Sequence, residues 1–216
     1  MCFLGQKFAR GEQWRMGNAH SIIAYTAFKL GLDADEAREL YRDDVYADLG
    51  YYAQWEREAE AFYARYERFG FDMPGCIAKW SRKGAFMYVH AHPKIECLND
   101  LACAILRRAG MPLTNTSILP HDNLAAGPVF PVYPEIGRHL GVSGEYLFKG
   151  SGQYNVIDLD EFVSISFRHY DSFDDLTPTD PYFSDALDGA RRVIAAHAGI
   201  VDAARESSAL VQSDVV

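Results

Sequence analysis

The chain has 216 residues, of which 49% are apolar, and it carries 21 basic against 30 acidic side chains for a formal net charge of -9. That length suits one domain, expected over residues 1–206, followed by a frayed, disordered tail over 207–216. The acidic balance excludes a general nucleic-acid binder, which needs a basic face, and no apolar run reaches the roughly 20 residues that span a bilayer.

The opening, MCFLGQKFARGEQWR, lacks the apolar centre of a signal peptide, so a cytoplasmic protein is expected. Residues 1–17 show no periodicity, and a separately encoded upstream part is one reading of so abrupt a start. Gly17 to Ser21 offers small and polar caps before the helix IIAYTAFKL, which stops at Gly31. Asp33 with Glu36 three residues later is a capping box for a second helix running to about Tyr41. Tyr51 to Phe69 forms the longest helix, with Trp55, Ala59, Phe62, Tyr66 and Phe69 on an apolar side read as core, opposite a charged wet face.

Asp72, Pro74 and CIAKW predict a short helix that leads into Ser81-Arg82-Lys83-Gly84. The stretch GAFMYVHAHPKIECLNDLACAILRRAG, Gly84 to Gly110, then reads as strand, turn and helix. Ala85 to Val89 has the composition of a buried strand, and Pro93 suits the first turn of a helix, where a missing N–H costs nothing. Ile95, Leu98, Leu101, Ala102 and Ile105 recur at helical spacing, and Gly110 supplies the cap.

Beyond it, MPLTNTSILPHDNLAAGPVFPVYP is long and weakly patterned, with only Ser117-Ile118-Leu119 strand-like. PEIGRHL is a short helix closed by Gly141, and Tyr146-Leu147-Phe148 reads as an edge strand. Asp158 or Asp160 caps a helix to about His169, and Pro181 to His197 is a last amphipathic helix with Phe183, Leu187, Ala190, Val193 and Ile194 inward. The fold class is therefore α/β and helix-rich, several helices around a small sheet; a sheet this small also fits an α/β domain whose other strands lie upstream.

His90 and His92 fall at the predicted strand's carboxyl end and the helix's amino end, where free N–H groups favour anions. Lys79, Arg82, Lys83 and Lys94 gather positive charge around the same turn, chemistry suited to a phosphate-bearing ligand. Solvated surface charge is the plain alternative. His92 suits acid/base work, or structural hydrogen bonding at the helix start. His90 and His92 at i and i+2 could share a metal, yet His121, His20 and Asp122 carry no ligand spacing, so no metal site is assigned. His20 with Ser21, and His121-Asp122-Asn123, are polar groups that a cleft could use and that capping or turn chemistry explains equally. Cys2, Cys76, Cys97 and Cys103 lack metal or disulfide spacing and read as buried reduced thiols. No Walker loop, G-x-G-x-x-G or G-x-S-x-G elbow occurs.

In order, Gly17 to Ser21, the helix ending at Gly31-Leu32, DEARELY, the Leu49-Gly50-Tyr51 entry and Gly84 to Tyr88 followed by His92-Pro93-Lys94 resemble the WcbI-type polysaccharide biosynthesis family. Pro131 to Glu135 and Tyr146 to Lys149 extend the likeness, which covers about residues 17–150 and corresponds to the family's carboxyl-terminal part. The resemblance implies a role in capsular polysaccharide biosynthesis, coenzyme A binding and acetyl transfer to a sugar hydroxyl. Lys79, Arg82, Lys83 and Lys94, with His90 and Ser21, would then hold acetyl-CoA, His92 and His20 would act as acid/base or orienting groups, and the acceptor would lie under the 111–131 loop. The family's strand leading to Gly-Asn-Cys-Gln has no counterpart in the sequence, since Gly17-Asn18-Ala19-His20 neither follows a strand nor carries the cysteine, and the family's Asn-His-Pro reads as Ala91-His92-Pro93. Two other readings follow: a non-catalytic remnant or partner subunit completed by another chain, and a metal-assisted hydrolase built on His90 and His92.

Overall fold

The computed structural model describes residues 16, 19–116, 118–173 and 184–200, with only the backbone at 184 and 185. The sequence-based expectations for most of 1–17, for Gly17-Asn18, Cys2, Ser117, Pro181 to Phe183 and the tail lie outside the described residues.

Helix α1, Ile22–Lys29, begins where the Ser21 side chain accepts from Ala24 N, and Gly31 turns the chain at φ 79. The capping box forms as read: Asp33 accepts from Glu36 N and Glu36 from Asp33 N, opening α2, Ala34–Arg38. Helix α3, Asp43–Asp48, is an element the sequence reading missed, because it is one and a half turns long and has no side-chain cap. Helix α4, Tyr51–Glu67, stops two residues short of Phe69, and α5, Met73–Ser81, starts at Asp72, which accepts from Gly75 N.

The segment after α5 differs from its reading. The strand shrinks to β1, Met87–Val89, and turns at once into β2, His92–Pro93, an antiparallel hairpin with an irregular register. Pro93 therefore lies in a short strand, where the lack of an N–H is tolerated at an edge, and α6, Ile95–Arg108, begins after it. The long stretch holds one 3-10 turn, Asn123–Ala126, and Ile118 and Leu119 are exposed rather than paired. Helix α7, Pro134–Leu140, closes at Gly141 as expected; β3, Phe148–Lys149, pairs with the unforeseen β4, Val156–Ile157. Asp158 caps α8, Leu159–Asp171, and α9, Ser184–His197, completes the described chain.

The helix-rich α/β expectation is met, among the described residues, by helices and two separate two-stranded antiparallel sheets. The main core joins α1, α2, α3, α7, α8, α9 and the start of α4 through Ile23, Ala37, Val45, Tyr46, Tyr51, Ile136, Phe162 and Ile194, with Phe148 of β3, all buried. A second cluster, Met73, Ile77, Trp80 and Cys97, lies between α5 and α6 and takes Phe62 and Tyr66 of α4 against it. The aromatic side of α4 is thus only half-buried, with Trp55 37% and Phe69 44% exposed, because α5 covers it from one side alone. On α6 only Cys97 is buried, while Leu98 and Ile105 face outward. Cys76 and Cys103 are partly exposed free thiols, and burial pushes the Cys97 thiol up to about 11. No helix among the described residues is long and apolar enough to cross a membrane.

Candidate functional site

Hairpin β1–β2, the first turn of α6 and the loop around the 3-10 turn meet at one carboxylate. Asp122 Oδ2 accepts from Ile95 N at 2.9 Å and from the Tyr88 hydroxyl at 3.1 Å, while Oδ1 accepts from Leu124 N and Ala125 N at 3.1 and 3.2 Å. Burial by itself raises that carboxyl, but the donors outweigh it and hold Asp122 below the usual carboxylate range. The amino end of α6, read as an anion site, therefore already faces an internal anion. Only a side chain 27 residues beyond Ile95 supplies it, and no local pattern reports that.

His92 rises from this junction. Its Nδ1 is sealed from solvent and has no hydrogen-bond partner among the described residues. Gly127 lies against the same ring: a Cβ there would sit 3.2 Å from Nδ1. The Gly127 carbonyl accepts from Lys149 Nζ at 2.5 Å, and burial lowers the Lys149 ammonium from its ordinary value. His90 stands at the exposed tip of the hairpin instead of beside His92 on one strand. Partial desolvation, and then the neighbouring His92, hold His90 below the ordinary histidine range.

The four predicted cations part company. Lys79 is bound to Asp100 at 2.7 Å, and the Trp80 indole donates to the same carboxylate, so its charge is compensated between α5 and α6. Arg82 and Lys83 extend from the end of α5 into solvent, and the Lys94 ammonium lies over the Tyr88 ring at 5.8 Å; none of the three has an ion pair among the described residues. Of the three, Lys94 is the one tied to the hairpin that carries the histidines.

His20 and Ser21 belong to another place. His20 is 1% exposed, its Nδ1 lies 3.3 Å from the Tyr170 hydroxyl, and its ring stacks on His169. Ser21, 2% exposed, receives the Tyr41 hydroxyl at 2.6 Å. The cleft expected around this pair is packed core, and the described partners of both residues come from that core. Nor do the described residues contain any group of three His, Cys, Asp or Glu placed to hold a metal ion. Residues that the sequence reading left without a role at the histidines are Tyr88, Gly127 and Lys149. Glycine in GP and lysine in an edge strand are too common to signal one.

Residues 14–114 match the family model described as polysaccharide biosynthesis enzyme WcbI. That segment is similar to the WcbI family. It contains every histidine, lysine, arginine and serine assigned to the site from sequence: Ser21, His20, Lys79, Arg82, Lys83, His90, His92 and Lys94. The WcbI match ends before Pro131 to Glu135 and Tyr146 to Lys149, which had extended the resemblance to about residue 150. Asp122, Gly127 and Lys149 also lie beyond it. No curated protein and no solved structure matches the chain significantly.

Proposed function

We propose that the chain is a cytoplasmic acyltransferase of capsular or other surface-polysaccharide biosynthesis, moving an acetyl group from acetyl-CoA to a sugar hydroxyl. The observation that carries this reading is the WcbI match over residues 14–114, a family described by polysaccharide biosynthesis. The hairpin chemistry supports it. With Nδ1 enclosed, His92 has Nε2 for proton transfer, and Arg82, Lys83 and Lys94 offer uncompensated charge for the phosphates of CoA.

In the proposed step His92 takes the proton of the acceptor hydroxyl as its oxygen bonds to the thioester carbonyl carbon. The C–S bond then breaks, and the departing CoA thiolate recovers the proton from the imidazolium. His90, exposed at the tip of the hairpin, suits a hydrogen bond to the acceptor sugar. His20 and Ser21 have structural roles in the core in this scheme, because both are buried.

The experiment is titration calorimetry with CoA, followed by acetyl-CoA with a panel of sugar acceptors and detection of released thiol. Lys94→Glu is expected to weaken CoA by about tenfold or more, the loss of one charge-assisted contact of about 1.5 kcal/mol, while Lys79→Gln changes it little. His92→Ala should bind CoA and release no acceptor-dependent thiol. A folded parent protein that neither binds CoA nor acetylates any acceptor refutes the proposal. A second reading, a non-catalytic partner subunit, draws on the exposed apolar line of Leu98, Ile105 and Met111 along and beyond α6. It gains if CoA binds and no acceptor is modified.

A further inference from the structure

The geometry points to Asp122 and Gly127 as positioning residues that together hold the His92 ring in one orientation. Both lie outside the segment matched to the family, in the long loop whose sequence has no periodicity. A loop of that length and composition has no internal reason to hold a shape.

Asp122 supplies the first reason. Its four accepted hydrogen bonds come from β1, the start of α6 and the 3-10 turn, which are the elements on either side of His92 in the chain and the loop that covers it. Further along the loop the backbone is pinned again: Phe130 N donates to Tyr88 O at 2.9 Å, and Val129 and Lys149 exchange hydrogen bonds at 2.8 and 3.1 Å. Tyr88 thus ties the loop to the hairpin from both its side chain and its carbonyl.

Between those anchors stands Gly127. Its φ of -71 and ψ of -177 are open to any residue, so backbone freedom does not explain the glycine. Space does. A Cβ would come within 3.2 Å of His92 Nδ1 and 3.1 Å of Leu124 O, tighter than ordinary packing allows. The ring lies against the bare backbone of residue 127, Nδ1 is enclosed, and Nε2 is left as the nitrogen that exchanges protons. The Lys149 ammonium, bound to the Gly127 carbonyl, holds that stretch of backbone in place.

The chemical role of His92 rests on the proposed function, but its positioning does not, and the test needs no substrate. Long-range 1H–15N spectra of the histidine rings are recorded for the full chain, the parent alongside Gly127→Ala, Asp122→Ala and Asp122→Asn, with Asp33→Ala as a distant control. The parent is expected to show the His92 ring in one tautomer. Gly127→Ala, which removes no hydrogen bond, should move both ring nitrogens toward the averaged pattern of a solvated imidazole and speed His92 acylation by diethyl pyrocarbonate several-fold. Asp122→Ala should do the same, Asp122→Asn should fall between because its amide oxygen keeps part of the acceptor set, and Asp33→Ala should leave His92 unchanged. His92 signals and reactivity that stay at parent values in folded Gly127→Ala overturn the proposal, as does a parent ring that already averages both tautomers. Inactivity toward acyl donors with these shifts intact refutes the acyl-transfer reading alone.

Discussion

The Ser21 hydroxyl caps α1 and receives the Tyr41 phenol within the core, so removing it leaves two buried partners short of an oxygen. Ser21→Ala is expected to lower the unfolding free energy by about 1–3 kcal/mol in urea denaturation, the usual cost of orphaning buried polar groups. His169 makes a second argument at this scale. Burial holds its imidazole below the ordinary histidine range, whereas in the unfolded chain it titrates near about 6.5. The unfolded state therefore binds more protons as the pH drops. The stabilising contribution is complete above about 6.5 and is lost as the pH falls toward the folded value. His90 shifts in the same direction, and the depressed Asp44, Asp100 and Asp122 extend the loss below about pH 4. Melting points measured from pH 7.5 to 5 should fall, and His169→Phe should flatten that slope; an unchanged slope removes His169 as its source. Individual charges were legible in the sequence, but their partners were not. Lys79 looked like a phosphate ligand because Asp100, 21 residues away, reaches it only when α5 packs on α6.

At the scale of elements, the caps and periods were the dependable signals. Ser21, Asp33, Asp72 and Asp158 each start the helix expected of them, because a cap and its N–H partner are three residues apart and need no tertiary contact. Period alone misjudged which apolar side is covered. The apolar side of α6 is wider than the face α5 can cover, so Cys97 is buried while Ile105 remains 54% exposed. Ile105→Lys is accordingly expected to change stability by no more than about 0.5 kcal/mol, whereas Trp80→Ala, which empties the α5–α6 cluster and strips Asp100 of a donor, should cost about 3–5 kcal/mol. Thermal unfolding of the two variants checks the contrast. The hairpin escaped the reading for a related reason: a run of five apolar residues suits a buried strand, but here the chain turns back after Val89 and uses Pro93 at the edge.

For the whole molecule, three apolar clusters of unequal size among the described residues, one of them Ala24, Tyr25 and Tyr170 between α1 and α8, imply unequal local stability. The largest joins seven helices around fully buried aromatics, reaching only the start of α4 at Tyr51, and the cluster on α5 and α6 has the rest of α4 half-exposed against it. Amide hydrogen exchange should therefore leave α1 and α8 protected longest and release α4 and α6 earlier, since local opening follows the apolar contact that must be broken. Equal protection across both groups would show that the clusters open as one unit.

The sequence by itself determined the helix-rich class, the capped helix starts and the segment that carries the WcbI likeness, because each rests on spacings of a few residues or on an ordered run of motifs. It also singled out His90 and His92, since two histidines between an apolar run and a punctuated helix are visible without a fold. Only the tertiary structure decided which of the predicted site residues share a neighbourhood. It put His20 and Ser21 in the core, neutralised Lys79, occupied the amino end of α6 with Asp122 and laid Gly127 against His92. Those outcomes depend on contacts between groups 20 to 40 residues apart or more, and burial and pairing at that range are properties of packing, which no local pattern encodes.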